Sequence, residues 1–233
     1  MRSQHPPEAF DLDYIFLRKA IGTIALLLPV LIVAISWWLD NTWDIQESIS
    51  HYYYTHSRNY FVGSLCALAV FFLSYDHREV GEYKADNYWS NAASAMAVGV
   101  AFFPTTRNGS ATGPEQVIGT FHLIFAGSLF ATLGILSLFF FTKNDGSPTP
   151  EKLKRNTLYK VCGVIIFACI ALIGLAEIVS PPSSWHSSFL LESIMVWAFA
   201  VSWLVKGGFL GLLADKPQAA ESPDSKMMPT DAR

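Results

Sequence analysis

Six apolar stretches, separated by polar connections, constrain this chain of 233 residues more than any other feature. They cover residues 20–39, 60–75, 88–103, 117–141, 161–179 and 189–205. A helix of roughly 17–25 mostly apolar residues crosses a bilayer core, so each stretch matches or approaches one crossing. The second and third are short, and we expect either that their ends include flanking polar residues or that the bilayer thins there. The pattern predicts an all-α bundle of six transmembrane helices.

The composition supports the membrane class. Hydrophobic residues make up 52% of the chain and charged residues 15%, whereas a soluble domain carries charge on roughly 25% of its residues. A net charge of -3 does not provide the basic surface that nucleic-acid binding requires, so no nucleic-acid partner is expected. The three cysteines lie within apolar runs and are interpreted as packing residues.

The placement of Lys and Arg predicts that both termini are cytoplasmic. If the N-terminus is inside, 14 of the 16 Lys and Arg residues fall on the inner side, and the other two, Arg58 and Arg107, fall on the outer side. This excess of positive charge on the inner side would be lost with an odd number of helices. We expect a bacterial cytoplasmic (inner) membrane protein with three parts. They are a cytoplasmic leader over residues 1–14, the six-helix domain over 15–213 and a disordered cytoplasmic tail over 214–233.

Small residues indicate where helices pack closely, since they let two backbones approach. Asn91, Ala95 and Gly99 are spaced four apart in the third stretch, and Asn91 is expected to find a partner inside the bundle. Glycines of the fourth stretch are expected to act in the same way at positions 119, 127 and 134. Residues 143–157 are basic and contain Pro and Gly, and they are predicted to form an inner loop.

Ionisable and polar side chains concentrate at the predicted outer ends of the helices. The loop at residues 40–59 is long and dense in functional groups, which marks it as more than a tether. His122 and Glu192 lie near the outer ends of the fourth and sixth helices, and Glu177 closes that of the fifth. The candidate ligand-binding residues are Ser50, His51, Arg58, Arg107, His122, Glu177 and Glu192.

Two interpretations of these residues remain open. A buried ionisable group is costly in hydrocarbon, so His122 and Glu192 are expected to face the interior of the bundle. Either they hydrogen bond to each other and hold two helices together, or they face a cleft open to the outer leaflet. The planar guanidinium of Arg58 or Arg107 is suited to a lipid phosphate. The alternative is that each arginine pairs with a carboxylate such as Glu47 or Glu115.

Metal chemistry is a second alternative. Zinc accepts imidazole, and His51, His56, His122 and His186 are the candidate ligands, with Glu192 as a general base beside His122. Zinc with an open position activates water, which would make the protein a hydrolase of a lipid ester or amide. No two histidines have a metal-ligand spacing on one helix, and the chain contains no nucleophile elbow or nucleotide-binding glycine loop. A third alternative is a small-solute or proton carrier in which His122 and Glu192 titrate.

Several short runs resemble a known family. The chain resembles the DRAM/Sfk-type family of six-helix membrane proteins at three places. They are the Ile49-Ser50 pair, the aromatic pair Tyr60 and Phe61 that opens the second helix, and His122 in the fourth helix. Residues 49–53 (ISHYY), 58–63 (RNYFVG) and 203–207 (WLVKG) resemble more closely an uncharacterised bacterial family of that shape. The resemblance implies six helices and a role in lipid remodelling or membrane organisation.

The favoured prediction is a non-enzymatic protein that binds membrane lipids or organises the membrane. Its recognition surface would be the loop at residues 40–59, packed over His122 and Glu192. The absence of a catalytic sequence motif and the outward polar residues together motivate this interpretation.

Overall fold

The computed structural model describes residues 14–41, 43–75, 84–107, 112–143, 147–179, 186–209 and 213. All of the predicted leader except its last residue, and the whole predicted tail, lie outside the described residues. The described chain is helical and contains no strand, which confirms the all-α class.

Six α-helices follow one another in chain order within the described residues. They are α1 (Tyr14–Asp40), α2 (Arg58–Leu73), α3 (Lys84–Phe102), α4 (Gly113–Ile135), α5 (Pro150–Val179) and α6 (Ser187–Lys206). A π-helical turn, Leu136–Phe140, continues α4. A short 3₁₀ helix, Ser50–Tyr54, lies in the connection between α1 and α2, which we call the α1–α2 loop (residues 41 and 43–57). The end of the bundle that carries this loop is the loop end.

Four helices are long and apolar enough to cross a membrane, and this indicates a multi-pass membrane protein. They are Ile15–Asp40, Gly113–Phe140, Pro150–Ala176 and Ser187–Lys206. The helix α2 is apolar but only 16 residues long, and α3 has 19 residues. The described residues thus contain four helices of this kind, not the predicted six. The apolar third stretch is extended at its start by polar residues of α3, as expected.

The six helices form a closed ring. Each helix contacts the next one along the chain, and α6 returns to contact α1. The last contact is antiparallel: the Trp197 indole N–H donates to the Leu26 carbonyl oxygen at 3.1 Å, and Gly22 faces Leu204. The ring encloses a shared apolar core to which every helix contributes.

Glycines set the closest helix contacts. A Cβ atom added at Gly134 would lie 2.7 Å from the Phe167 ring, and one at Gly99 would overlap the ring of Phe125. Gly119 packs in the same way, against Thr106, whereas Gly127 faces open space. Three of the four glycines singled out by the sequence therefore permit close approach.

The predicted inward face of α3 is wrong. Asn91 and Ala95 are exposed, while Ala93 and Ala97 are fully buried. The buried serine of this face, Ser94, donates its hydroxyl to the Ala69 carbonyl of α2 at 2.7 Å. The helix is thus rotated so that its alanines and serines, rather than Asn91, meet the rest of the bundle.

The prediction of a loop over residues 143–157 is also wrong in part, since α5 begins at Pro150. The Thr149 hydroxyl accepts the backbone N–H of Lys152 at 3.1 Å, as a helix N-cap does. Proline is well suited to the first position of a helix, because the N–H that it lacks has no helical partner there. The basic residues that follow are therefore helical.

An aromatic cluster closes the end opposite the α1–α2 loop. Trp203 is fully buried, and its ring centroid lies 5.0–5.6 Å from those of Tyr75, Phe141 and Phe72. The Arg18 Nε donates to the Tyr75 hydroxyl at 2.9 Å, which adds a cation at the rim. We refer to these rings, together with Phe199, as the aromatic floor.

We expect Gly99→Leu to lower the free energy of unfolding by about 1–3 kcal/mol, because the added side chain overlaps the Phe125 ring. The matched control is Gly127→Leu on α4, where the space is open, and it should change stability by no more than ~0.5 kcal/mol. Denaturant titration in detergent, followed by circular dichroism, measures both. Equal destabilisation by the two variants would contradict the assigned packing.

Candidate functional site

Glu192 fastens the α1–α2 loop to α6. The backbone N–H of Ile49 donates to its carboxylate at 2.7 Å, and the N–H of Ser50 is a second donor. Nearby, the Phe189 N–H donates to the Glu47 carbonyl oxygen at 2.8 Å. The N–H groups at the start of the 3₁₀ helix lack intrahelical partners, so the carboxylate satisfies them and the loop is docked on the first turns of α6.

Two further side chains anchor the loop in the bundle. Tyr52 is fully buried, with its ring centroid 5.9 Å from that of Phe189. Burial raises the pKa of Tyr52 above its ordinary value, so this side chain remains a neutral phenol. The Ser57 hydroxyl donates to the Ile32 carbonyl oxygen of α1 at 2.8 Å. The loop is therefore part of the packed structure.

The expected hydrogen bond between His122 and Glu192 is wrong. His122 is buried, and its Nδ1 donates to the Phe103 carbonyl oxygen at 2.6 Å. Each of the two side chains thus bonds to backbone groups near a helix end, because those groups have no partner within their own helix. His122 locks α4 to the end of α3, whereas Glu192 locks α6 to the loop.

Of the other three histidines of the loop end, His56 and His51 have their own side-chain partners, whereas the buried Nδ1 of His186 has no hydrogen-bond partner among the described residues. His56 pairs with Asp40, and His51 Nδ1 lies 2.7 Å from the Ser48 hydroxyl. His186 precedes α6 in a left-handed backbone conformation, with φ of 43°. Within the described ranges, no three His, Cys, Asp or Glu side chains are close enough together to hold a metal ion. The set His51, His56, His122 and His186 is therefore not assembled as a zinc site there.

The two arginines of the loop end stack on adjacent tyrosines. The Arg58 guanidinium carbon lies 4.1 Å from the Tyr53 ring centroid, and that of Arg107 lies 4.7 Å from the Tyr54 centroid. The two tyrosine rings meet edge to face at 5.4 Å. The Tyr54 hydroxyl donates to the Thr105 carbonyl oxygen at 2.6 Å, which fixes this ring. We call Arg58, Tyr53, Tyr54 and Arg107 the arginine–tyrosine cluster.

The expected pairing of these arginines with Glu47 or Glu115 is not found as a close ion pair, although the charges of Arg107 and Glu115 interact at longer range. Across the described residues, no carboxylate lies within ion-pair distance of either guanidinium. Glu115 instead accepts the backbone N–H of Thr112 at 2.8 Å and its hydroxyl at 3.0 Å, at the start of α4. Arg58 and Arg107 are both exposed. An Arg58 Nη donates to the Tyr53 hydroxyl at 2.5 Å, and the other N–H donors of the exposed guanidinium groups remain accessible from outside the protein.

The last two predicted site residues have different positions. Ser50 is buried and lines a cavity inside the ring. Glu177 belongs to α5, two residues before its end, and its side chain lies outside the described part of the structure. The structure thus brings Ser50 and Glu192 together, and Arg58 and Arg107 through the tyrosines, but it does not bring His122 to Glu192.

A cavity of about 60 Å³ lies within the ring. Apolar side chains from α1, α2, α3, α4 and α6 line it, and Ser50 and Glu192 lie at its loop end. Sequence reasoning missed this cavity, and it did not include Tyr52, Tyr53 or Tyr54 among the candidate site residues. The run of three tyrosines beside Arg58 was the available signal for the arginine–tyrosine cluster.

Comparisons with family models, with curated proteins and with solved structures found no match to this chain.

We expect Glu192→Ala to release the α1–α2 loop, because the N–H groups of Ile49 and Ser50 lose their acceptor. A buried donor left without a partner costs about 1–3 kcal/mol. Hydrogen exchange of residues 47–54 should accelerate by roughly 5- to 100-fold. The control is Asp44→Ala, which removes an exposed acid of the same loop and should leave exchange unchanged. Equal exchange in both variants would show that Glu192 does not hold the loop.

Proposed function

We propose that this protein is an integral membrane protein that binds phospholipid headgroups at the arginine–tyrosine cluster and thereby organises the lipids around it. The observation that carries the proposal is the pair of exposed guanidinium groups on adjacent tyrosine rings, with no carboxylate of the described residues in ion-pair contact. The N–H donors of these groups that Tyr53 does not use can bind an anion from outside the protein.

The chemistry of the cluster matches a phosphate ester. A guanidinium presents N–H donors in a planar fork that fits two phosphate oxygens. Stacking on a tyrosine face orients this fork and leaves its edge available. The distances of 4.1, 5.4 and 4.7 Å that link the cluster limit the separation of the two guanidinium carbons to about 14 Å. Both guanidinium groups therefore lie within one small area of the surface.

Aromatic side chains support a location at headgroup depth. Trp38 and Trp43 are 76% and 73% exposed near the end of α1 and the start of the loop, and Trp43 stacks on Trp37 at 4.3 Å. Exposed tryptophan prefers the interface between hydrocarbon and water. The arginine–tyrosine cluster belongs to the same α1–α2 loop and would lie at this interface.

The proposal includes six membrane crossings, with both termini in the cytoplasm of a bacterium and the loop end on the outer side of its inner membrane. The ring supports it, since α2 and α3 each lie between two neighbours in a closed circle. At 1.5 Å per residue, the 16 residues of α2 span roughly 24 Å, and local thinning of the bilayer or polar flanks would accommodate the difference from ~30 Å.

Kinship with the DRAM/Sfk-type family is part of the same proposal. The Ile49-Ser50 pair that carries the resemblance supplies the N–H groups held by Glu192. We do not adopt the hydrolase or the carrier as a second function, because His122 and Glu192 are each engaged by backbone groups rather than by one another.

The topology is tested with single cysteines and a membrane-impermeant maleimide on intact spheroplasts. Thr112→Cys, before α4, should react from outside, whereas Lys84→Cys, at the start of α3, should react only after lysis. The native cysteines lie in apolar helices, and wild-type protein gives the background. Labelling of Lys84→Cys from outside would refute the crossing of α2 and α3.

Headgroup binding is tested with the double variant Arg58→Gln, Arg107→Gln. Native mass spectrometry of protein titrated with phosphatidylglycerol should show a loss of affinity of about 10- to 100-fold, since each charge-assisted contact contributes roughly 1.5–3 kcal/mol before solvent screening at this exposed site. The matched control is Lys154→Gln, an exposed cation on α5.

Diacylglycerol, which has no phosphate, separates headgroup binding from contact with acyl chains. Its retention should be low and equal in wild type and the double variant. Unchanged phosphatidylglycerol binding in the double variant, or an equal loss in Lys154→Gln, would refute the proposed site.

A further inference from the structure

We propose that this protein self-associates through the outward surface of α3, which we call the α3 face (Asn91, Ala92 and Ala95). A second copy of the chain packs on it, with Asn91 against Asn91 across a two-fold axis along the membrane normal. The inference goes beyond headgroup binding at the arginine–tyrosine cluster, but it rests on the proposed crossing of the membrane by α2 and α3.

Asn91 is a polar side chain on the outside of an apolar ring. It lies seven residues after Lys84, the first residue of α3, which is roughly 10 Å along the helix axis. The rings of Trp89 and Phe140 pack with their centroids 6.0 Å apart, and Asn91 lies beyond this contact, toward the loop end. Phe139 beside it is 62% exposed, as a lipid-facing side chain would be. In the proposed orientation, Asn91 therefore faces hydrocarbon.

Hydrocarbon offers no hydrogen-bond partner to an amide side chain. An asparagine carries two N–H donors and a carbonyl acceptor, and leaving them unpaired in an apolar medium is costly. A second copy supplies what lipid tails lack. Across a two-fold axis each Asn91 donates to the other and accepts from it, because the same surface patch is present on both copies. Self-association therefore satisfies the amide with no other partner.

The residues around Asn91 are small. Ala95 is exposed one turn further along α3, and Ala92 is partly exposed beside Asn91. Larger side chains flank this patch, since Tyr88 is 74% exposed on one side and Val98 is 42% exposed on the other. Small residues let the backbones of two membrane helices approach closely enough for an interhelical hydrogen bond. The α3 face therefore combines a polar group with the space that its pairing requires.

The lengths of the helices provide an independent reason for association on this side of the ring. The helix α2 adjoins α3, and its 16 residues span roughly 24 Å, against a hydrocarbon core of ~30 Å. Neither α2 nor α3 is among the four helices that are long and apolar enough to cross a membrane. Oligomerisation is one way in which short spans avoid contact with a thinned bilayer. A second copy on the α3 face would replace lipid at this position.

The test measures association of the purified full chain in proteoliposomes. Energy transfer between donor- and acceptor-labelled copies is followed over a range of protein-to-lipid ratios, and we expect it to rise with protein density to the plateau of a dimer. Asn91→Leu should raise the dissociation constant about 5- to 30-fold, the range that interhelical hydrogen bonds contribute in a membrane. Wild-type protein that stays monomeric at every density would overturn the proposal.

Two outward substitutions give a matched comparison. Ala95→Leu fills the space beside Asn91, whereas Gly127→Leu adds the same side chain on the outside of α4, where the space is open. Ala95→Leu should weaken association at least as much as Asn91→Leu does, and Gly127→Leu should leave it unchanged. Equal effects of Ala95→Leu and Gly127→Leu would overturn the assignment to the α3 face.

Cross-linking locates the interface in a chain that keeps Asn91. The background is Cys66→Ala, because Cys66 is a partly exposed native thiol on the adjoining α2. On oxidation in proteoliposomes, Ala95→Cys should form a disulfide-linked dimer, whereas Gly127→Cys should remain monomeric. Equal cross-linking at the two positions, or none at Ala95→Cys, would overturn the interface.

Self-association and headgroup binding are separated by the variant that removes both arginines of the cluster. The double variant Arg58→Gln, Arg107→Gln should associate as the wild type does, because neither arginine belongs to the α3 face. Asn91→Leu should in turn retain phosphatidylglycerol binding. Loss of association in the arginine variant would overturn the α3 face as an independent surface, and unchanged association in Asn91→Leu would overturn the role of Asn91.

Discussion

The carboxylate of Glu192, bonded to backbone N–H groups of the α1–α2 loop, is the interaction on which the loop end depends. Unpaired N–H groups and an unpaired carboxylate are each costly away from water, so bringing them together stabilises both. The 3₁₀ helix that begins at this point carries Ser50 toward the cavity and Tyr53 and Tyr54 toward the two arginines. The positions of Ser50 and of the arginine–tyrosine cluster therefore depend on one attachment.

The ring gives the two ends of the bundle different properties. At the loop end, side chains bond to exposed backbone at the ends of helices, as His122 does with Phe103. At the other end, aromatic rings pack around Trp203, and Arg18 bonds to the Tyr75 hydroxyl at the rim. Close contacts at Gly99 and Gly134 hold the walls between these ends. The cavity between these ends has polar lining residues, Ser50 and Glu192, at the loop end only.

The sequence was sufficient for the fold class, the approximate helix positions and three packing glycines, because apolar length and small residues have direct physical consequences in a membrane. It failed on the rotation of α3, where lipid and protein interior are equally apolar and Asn91 was placed inward. It also failed on the partners of His122 and Glu192. Those partners are backbone groups at helix ends, which leave no signature in the side-chain sequence.

Three consecutive tyrosines in the 3₁₀ helix point in three directions, since such a helix turns by about 120° per residue. Tyr52 is buried in the core, Tyr53 supports Arg58, and Tyr54 supports Arg107 while bonding to Thr105. Three chemically identical neighbours thus make different contacts, which are determined by their order in the chain. During divergence this segment would accept exchanges of individual side chains far more readily than a change in its length. Inserting or deleting one residue would change the direction and the contacts of all three tyrosines at once.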